Sequence, residues 1–174
     1  MPLTNPMSAD HLAGAAGQFE PQRSNNFTVE IALGGQDRDL LIMSLQSASL
    51  PSERNDEIPI NFGNEVRYVA GKASVDPISM NVTDYVDSGT RDAVMRWRKQ
   101  VYDKETGNVG RAADYKKTAD LILMAPDGSS RRVCRLIGVW PVSVSGGQLS
   151  FENAGLMQIE VSLRCDKAIW DGGL

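Results

Sequence analysis

Histidine and cysteine are almost missing from this sequence. His11 is the single histidine, and it stands in a stretch too poor in spaced apolar residues to form a core element. A Ser-His-Asp or Cys-His arrangement would therefore have to be built on the least organised part of the chain. Cys134 and Cys165 are the two cysteines. Neither has a CxxC neighbour or a nearby histidine, which excludes a zinc-type ligand set and a disulfide framework. They read as buried thiols, with a disulfide between them or between chains left open for a protein that leaves a reducing compartment. Long apolar runs are lacking too. None approaches bilayer-spanning length, and MPLTNPMSADHLAGAAGQ has neither the basic start nor the apolar block of a signal peptide, so no membrane partner and folding in a cytoplasm are expected. Positive charge is not in excess. The formal net charge of −4 argues against general affinity for nucleic acid, which needs clustered Lys and Arg, but leaves room for a local basic patch.

Other signals of chemistry fail on inspection. GNEVRYVAGKA, residues 63–73, has the glycines and lysine of a phosphate loop but not the spacing, and Lys72 precedes Ala73 where a Ser or Thr would hold magnesium. It reads as a strand and turn. Asp37 with Asp39, and Asp84 with Asp87, sit where Asp serves local backbone hydrogen bonding, and neither segment has the remaining ligands of a calcium loop. Trp97, Trp140 and Trp170 are too dispersed to stack bases and read as core or interface anchors. No catalytic residue, metal or cofactor is expected, and the chain is read as a structural or binding protein.

At 174 residues, 41% hydrophobic and 23% charged, the chain fits one soluble domain with a real core. Residues 1–26 read as an N-terminal arm, with Leu12 and Phe19 as the anchors that would order it against a neighbour. Residues 27–174 form the domain. Phe27, Val29, Ile31 and Leu33 alternate with polar or small residues, the period of a half-buried strand. Gly34 and Gly35 mark a turn, and a second strand around Asp39 to Ser47 completes an expected hairpin. Leu50 to Asn64, with two prolines and a charged middle, reads as a long loop leaving the sheet. Its apolar Leu50, Ile58, Ile60 and Phe62 exceed what a freely solvated loop needs, so it either docks on a neighbour or folds back on its own domain. Glu65 to Ala70 resumes strand character. Ile78, Met80 and Val82 alternate with Ser79, Asn81 and Thr83, after Pro77 at the strand start.

The one convincing helix is SGTRDAVMRWRKQVYD, about residues 89–102. Ser88 or Thr90 can cap it, while Ala93, Val94, Trp97 and Val101 form one apolar stripe. Arg91, Arg96, Arg98 and Lys99 lie mostly off that stripe, and Asp92 is placed to pair with Arg96 four residues on. A strand begins at LILM, residues 121–124, a turn follows at Pro126 to Gly128, and another strand runs through RRVCRLIGVWP. In the last strand Met157, Ile159, Val161, Leu163 and Cys165 take one face and Gln158, Glu160, Ser162, Arg164 and Asp166 the other. About seven or eight strands and one helix predict a mainly β fold, an antiparallel sandwich or barrel with one packed helix.

Read in order, NNFTVEI, ASLP, IPINFGNEVRYVAGK, the Trp97 helix, YKK, GVWPVSVS, LSFEN and IEVSLRCDKAIW resemble the tail tube proteins of contractile-tailed bacteriophages, over residues 19–170. The resemblance implies a non-enzymatic virion protein, assembled in the host cytoplasm. Six subunits would form a ring and rings would stack into a tube inside the sheath, a conduit for DNA ejection without specific DNA binding. Each subunit would lend its sheet to a ring-wide closed barrel. The implied partners are further copies of the chain, the tail sheath protein, a tape-measure protein in the lumen, and the baseplate and tail-terminator proteins. Leu12, Phe19, Leu50, Ile58 and Phe62 would form subunit and ring contacts, and Tyr115, Lys116 and Lys117 would support a loop at the ring face. Trp140 with Pro141 would fix a strand bend. Ser79, Asn81 and Thr83 would face the lumen, since small neutral residues do not hold passing phosphates as rings of Lys and Arg would. Val94, Trp97 and Val101 would pack the helix on the sheet, leaving Arg96, Arg98 and Lys99 toward sheath or solvent. Three alternatives stand beside this: a tube of a secretion or extracellular contractile injection system with protein cargo, a monomeric β-sandwich binding module, and a DNA-binding protein using the basic helix.

Overall fold

The computed structural model describes residues 21–87, 89–147, 151 and 155–171. Its strands are β1 (Phe27–Ile31), β2 (Leu45–Ala48), β3 (Glu53–Phe62), β4 (Glu65–Val75), β5 (Ile78–Thr83), β6 (Lys117–Met124), β7 (Ser130–Gly146), β8 (Gln158–Arg164) and β9 (Lys167–Asp171). Three helical segments join them: α1 (Gln36–Ser44), α2 (Thr90–Val101) and the single turn α3 (Ala112–Tyr115). The fold is mainly β, as the alternating segments predict. Seven strands form one antiparallel system in the order β1-β6-β7-β8-β5-β2, with β9 also on β7, and β3-β4 stand apart as a two-stranded hairpin. Among the described residues the single chain forms no closed barrel.

The long strand β7 makes two leaves from one system. Its first half pairs with β6 and β9, and from Trp140 onward it pairs with β8. A register shift between Pro141 and Ser143 marks the bend, where a residue without an N–H and an extra residue together break the ladder. Gly138 just before it has φ 71°, and a Cβ there would stand 2.2 Å from Asp166 Oδ2. Only glycine meets both demands. The kink lies opposite Cys165 and Asp166, the interruption that separates β8 from β9 along the same β7 edge.

The core lies between the leaves. Val29, Ile31, Leu121, Cys134 and Leu136 enter from one, and Met80, Val82, Val161 and Leu163 from the other. Helix α2 adds Val94 and Trp97 to the same cluster. Trp97 is 2% exposed, and its indole N–H donates to the Tyr115 carbonyl at 2.9 Å, so the buried polar edge of the ring is satisfied.

Three sequence expectations are corrected here. The strand expected around residues 39–47 is the helix α1 followed by the short β2, and no hairpin joins it to β1, since β1 pairs β6 and β2 pairs β5. The run LLIM fits either period, and Leu41 and Ser44 are the buried pair one turn apart; Asp37 and Asp39 occupy the first turn, where carboxylates complement the helix dipole. The expected loop at 50–64 is instead the β3 arm of the hairpin, turning at Gly63 with φ 61°. Pro59 is accommodated because β3 has a partner on one side only, among the described residues. The helix cap is the third. Ser88 lies outside the described residues, Thr90 makes no cap bond, and Gly89 in left-handed conformation opens α2. The Asp84 carboxylate accepts from the Arg91 N–H at 3.2 Å in its place.

Candidate functional site

Alternation along the strands of the second leaf gives it one apolar face, turned to the core, and one polar face. On the polar face cross-strand register aligns two rows over four strands. The first runs Ser47–Asn81–Glu160–Ser145 and the second Ser79–Ser162–Ser143, with Ser49 extending the second through a backbone bond to the Ser79 carbonyl at 2.8 Å. Side chains tie the edge strand on. Asn81 Nδ2 donates to Ser47 Oγ at 2.9 Å, and the Ser79 N–H donates to Ser49 Oγ at 2.9 Å. Glu160 is the one charged residue in these two rows. Two unpaired edges bound the face among the described residues: the outer side of β2, and β7 from Trp140 to Gly146, which has left β6 behind.

Ser79 is exposed and Asn81 half-buried on this face. Thr83 departs from the expectation for it. It is 2% exposed at the end of β5, where the chain turns away toward α2, so the lumen assignment fails at this residue.

The β3–β4 hairpin carries apolar side chains into solvent. Cross-strand pairing puts Ile58, Ile60 and Phe62 on one face with Val69, while Val66 and Tyr68 share the other with Pro59 and Asn61. Phe62 is 81% exposed, Leu50 56% and Ile58 50%. Six large apolar side chains exposed on a single projecting ribbon exceed the scattered apolar exposure of an ordinary surface. Among the described residues nothing covers them. Leu12 and Phe19, the anchors proposed in the arm, lie outside the described residues.

Tyr115, Lys116 and Lys117 do not form a solvated loop. All three are half-buried. The Tyr115 ring meets Trp140 edge-on, centroids 5.8 Å apart, and Lys116 Nζ reaches both Asp166 oxygens at 2.9 and 2.7 Å. Lys117 opens β6 opposite Val139. They fasten α3 to the β7 bend within the subunit.

On α2, Val94, Trp97 and Val101 are buried. Arg96 pairs with Asp37 of α1, not with Asp92, and that hydrogen bond holds its guanidinium pKa above the ordinary value. Lys99 reaches Glu105 at 3.1 Å, which raises its pKa in the same way. Arg98 is half-buried. Burial pushes the Cys134 thiol up to about 11, with Cys165 adding to it, so neither reads as a reactive nucleophile. Among the described residues no group of three or more His, Cys, Asp or Glu could hold a metal.

Similarity to known proteins is as follows. No protein-family model matches the chain. The tail tube protein gp19 of Enterobacteria phage T4 is 27% identical over 165 residues, covering 92% of this chain and 98% of that protein. Among solved structures, the extended sheath-tube complex of the extracellular contractile injection system PVC contains a chain of TM-score 0.67 at 16% identity, covering 94% of this chain and 97% of that one. A chain of the PVC sheath/tube terminator matches with TM-score 0.69 at 14% identity over 87% of this chain and 97% of its own. The SPP1 tail tube matches with TM-score 0.56 at 10% identity, over 88% and 81%.

Proposed function

We propose, on the premise that this chain belongs to the tail tube family of contractile tails and injection systems, that its copies close into six-membered rings whose serine faces line a channel. The observation that carries this is the polar face bounded by two unpaired edges. An open sheet edge exposes a row of unpaired N–H and C=O groups, and closure removes it. β2 of one subunit meeting the Trp140–Gly146 segment of the next would continue the ladder around a ring. The two rows would then contribute Ser, Asn and one Glu per subunit, with the exposed Arg164 on the same face of β8 just beyond the second row.

Rings stack through the hairpin. Ile58 and Phe62, with Leu50 at its base and the arm residues Leu12 and Phe19, supply the contacts between subunits and between rings. The protein makes and breaks no bond. Its role is that of a structural virion component, assembled in the host cytoplasm, surrounding a tape-measure protein and later passing DNA without specific binding. Sheath, tail-terminator and baseplate proteins are its outer and end partners. A tube for protein cargo in an extracellular injection machine is the second reading, favoured by the fold shared with the tube of such a machine. Negative-stain microscopy of the concentrated purified protein decides the assembly. Six-fold rings or stacked tubes support it, and a chain that sediments as a monomer with paired, blocked edges sinks it.

A further inference from the structure

The leaf that carries the serine rows has two different ends. The β3–β4 hairpin leaves it at the Ile78 end of β5, where β4 stops at Val75 and the chain from β2 runs on through Leu50. At the Thr83 end, about 17 Å away for a six-residue strand, a cleft of about 530 Å³ opens between α1 and the loop that follows β5. Leu40 and Met43 wall it on the helix side and Tyr85 on the loop side, and Asp39 and Asp87 belong to the lining. Met43 is 78% exposed and Tyr85 46%. Val86, next in the loop, is exposed as well.

The hairpin and the cleft differ in charge as well as in place. The hairpin face of Ile58, Ile60, Phe62 and Val69 also carries Arg67, opposite Ile60, and Glu65, opposite Phe62. Arg67 is exposed and forms no ion pair among the described residues. On the cleft side Asp39 and Asp87 are likewise exposed and unpaired among the described residues, whereas Asp37 is taken up by Arg96. Arg91 follows the same loop on the first turn of α2. Each surface is therefore complementary to the other, an apolar knob with a cation against an apolar hollow with free carboxylates. A patch that fits a different patch of the same chain makes a head-to-tail contact, which repeats from copy to copy without closing.

We propose that the cleft between α1 and Tyr85–Asp87 seats the hairpin tip of a second copy of this chain, with Phe62 against Leu40, Met43 and Tyr85, and Arg67 paired with Asp87. Glu65 then comes to the Arg91 side of the cleft. That the second copy belongs to the next ring rests on the stacking proposed above, while the docking itself does not. Because tip and cleft lie at opposite ends of one leaf, each ring would offer six tips on one side and six clefts on the other. The stack would then have a direction.

The test mixes full-length variants in pairs and joins them with a short thiol-to-thiol cross-linker. Asn64→Cys places a thiol at the tip without removing Phe62, and Val86→Cys places one beside the cleft. Cys134 and Cys165 are buried. Dimers of one chain of each should exceed about tenfold those from Asn64→Cys mixed with Met95→Cys, a position on α2 outside the cleft. In sedimentation, Arg67→Glu should raise the critical concentration about tenfold, and Asp87→Arg in the same chain should recover most of that loss. Circular dichroism checks that each variant is folded. Tubes that form with no excess of the tip-to-cleft dimer overturn the proposal and leave the ring reading standing. Arg67→Glu that assembles like wild type, or a loss that Asp87→Arg does not recover, also overturns it. The cross-link without rings or tubes upholds the docking and defeats the ring reading, and the absence of both defeats both.

Discussion

Phe62 offers the sharpest separation of folding from assembly. At 81% exposed it contributes almost nothing to the isolated subunit, so Phe62→Ala should change subunit stability by less than about 0.5 kcal/mol. On the proposed stacking the same side chain would be buried. Full burial of a phenylalanine stabilises by about 2 kcal/mol, so the critical concentration for assembly should rise about thirtyfold. In the proposed six-membered ring every subunit would carry the change, a loss of about 12 kcal/mol per ring if the contacts are equivalent. Phe62→Asp should be stricter still, giving folded subunits that do not polymerise, since a lone carboxylate would be buried without a partner. The assay is sedimentation across a concentration series, with circular-dichroism melting as the folding control. An unchanged critical concentration for Phe62→Asp would remove the hairpin from the interface.

Other expectations follow from the subunit itself. Trp97→Phe deletes the donor to the Tyr115 carbonyl and leaves a small void, and should cost about 2 kcal/mol in chemical denaturation. Gly138→Ala forces a side chain into left-handed backbone against Asp166, and should cost more than about 1 kcal/mol and loosen Lys116 from Asp166, read as a lowered Tm. The Cys134 thiol sits above its ordinary range at about 11. The folded protein therefore retains this proton to higher pH than the unfolded chain does, and stability should be intact below pH 9 and fall as pH rises from 9 toward 11. Melting curves across that range check it, with Cys134→Ser expected to flatten the slope.

What could be read in the chain was local. The stripe Val94, Trp97 and Val101 and the two-residue alternation of β5 and β8 are periodic, and each lies where its period put it. The errors came where two periods fit or where breakers masked one. LLIM satisfied strand and helix alike, and its neighbours Asp37 and Arg96, 59 residues apart, gave no local clue that they would meet. Ile58, Ile60 and Phe62 alternate cleanly, yet Pro51, Pro59 and the charged run between them made the segment look like a loop. The serine face was half visible. Glu160 and Ser162 were on a recognised polar phase, but only strand order sets them beside Asn81, Ser79 and Ser47. Thr83 shares the phase of Ser79 and Asn81 yet is buried at the end of β5, which the alternation alone does not reveal. Asp84 gave no signal as a cap, lying seven residues before the amide it serves.

The serine face as a channel wall is tested most directly by a cryo-EM map of assembled particles at side-chain resolution. Six-fold rings with Ser79 and Glu160 on the inner surface, and β2 of one subunit laddered to the Trp140–Gly146 segment of the next, are the predicted result. Rings whose serine rows point outward or into an inter-ring contact, with β2 unpaired, would contradict it.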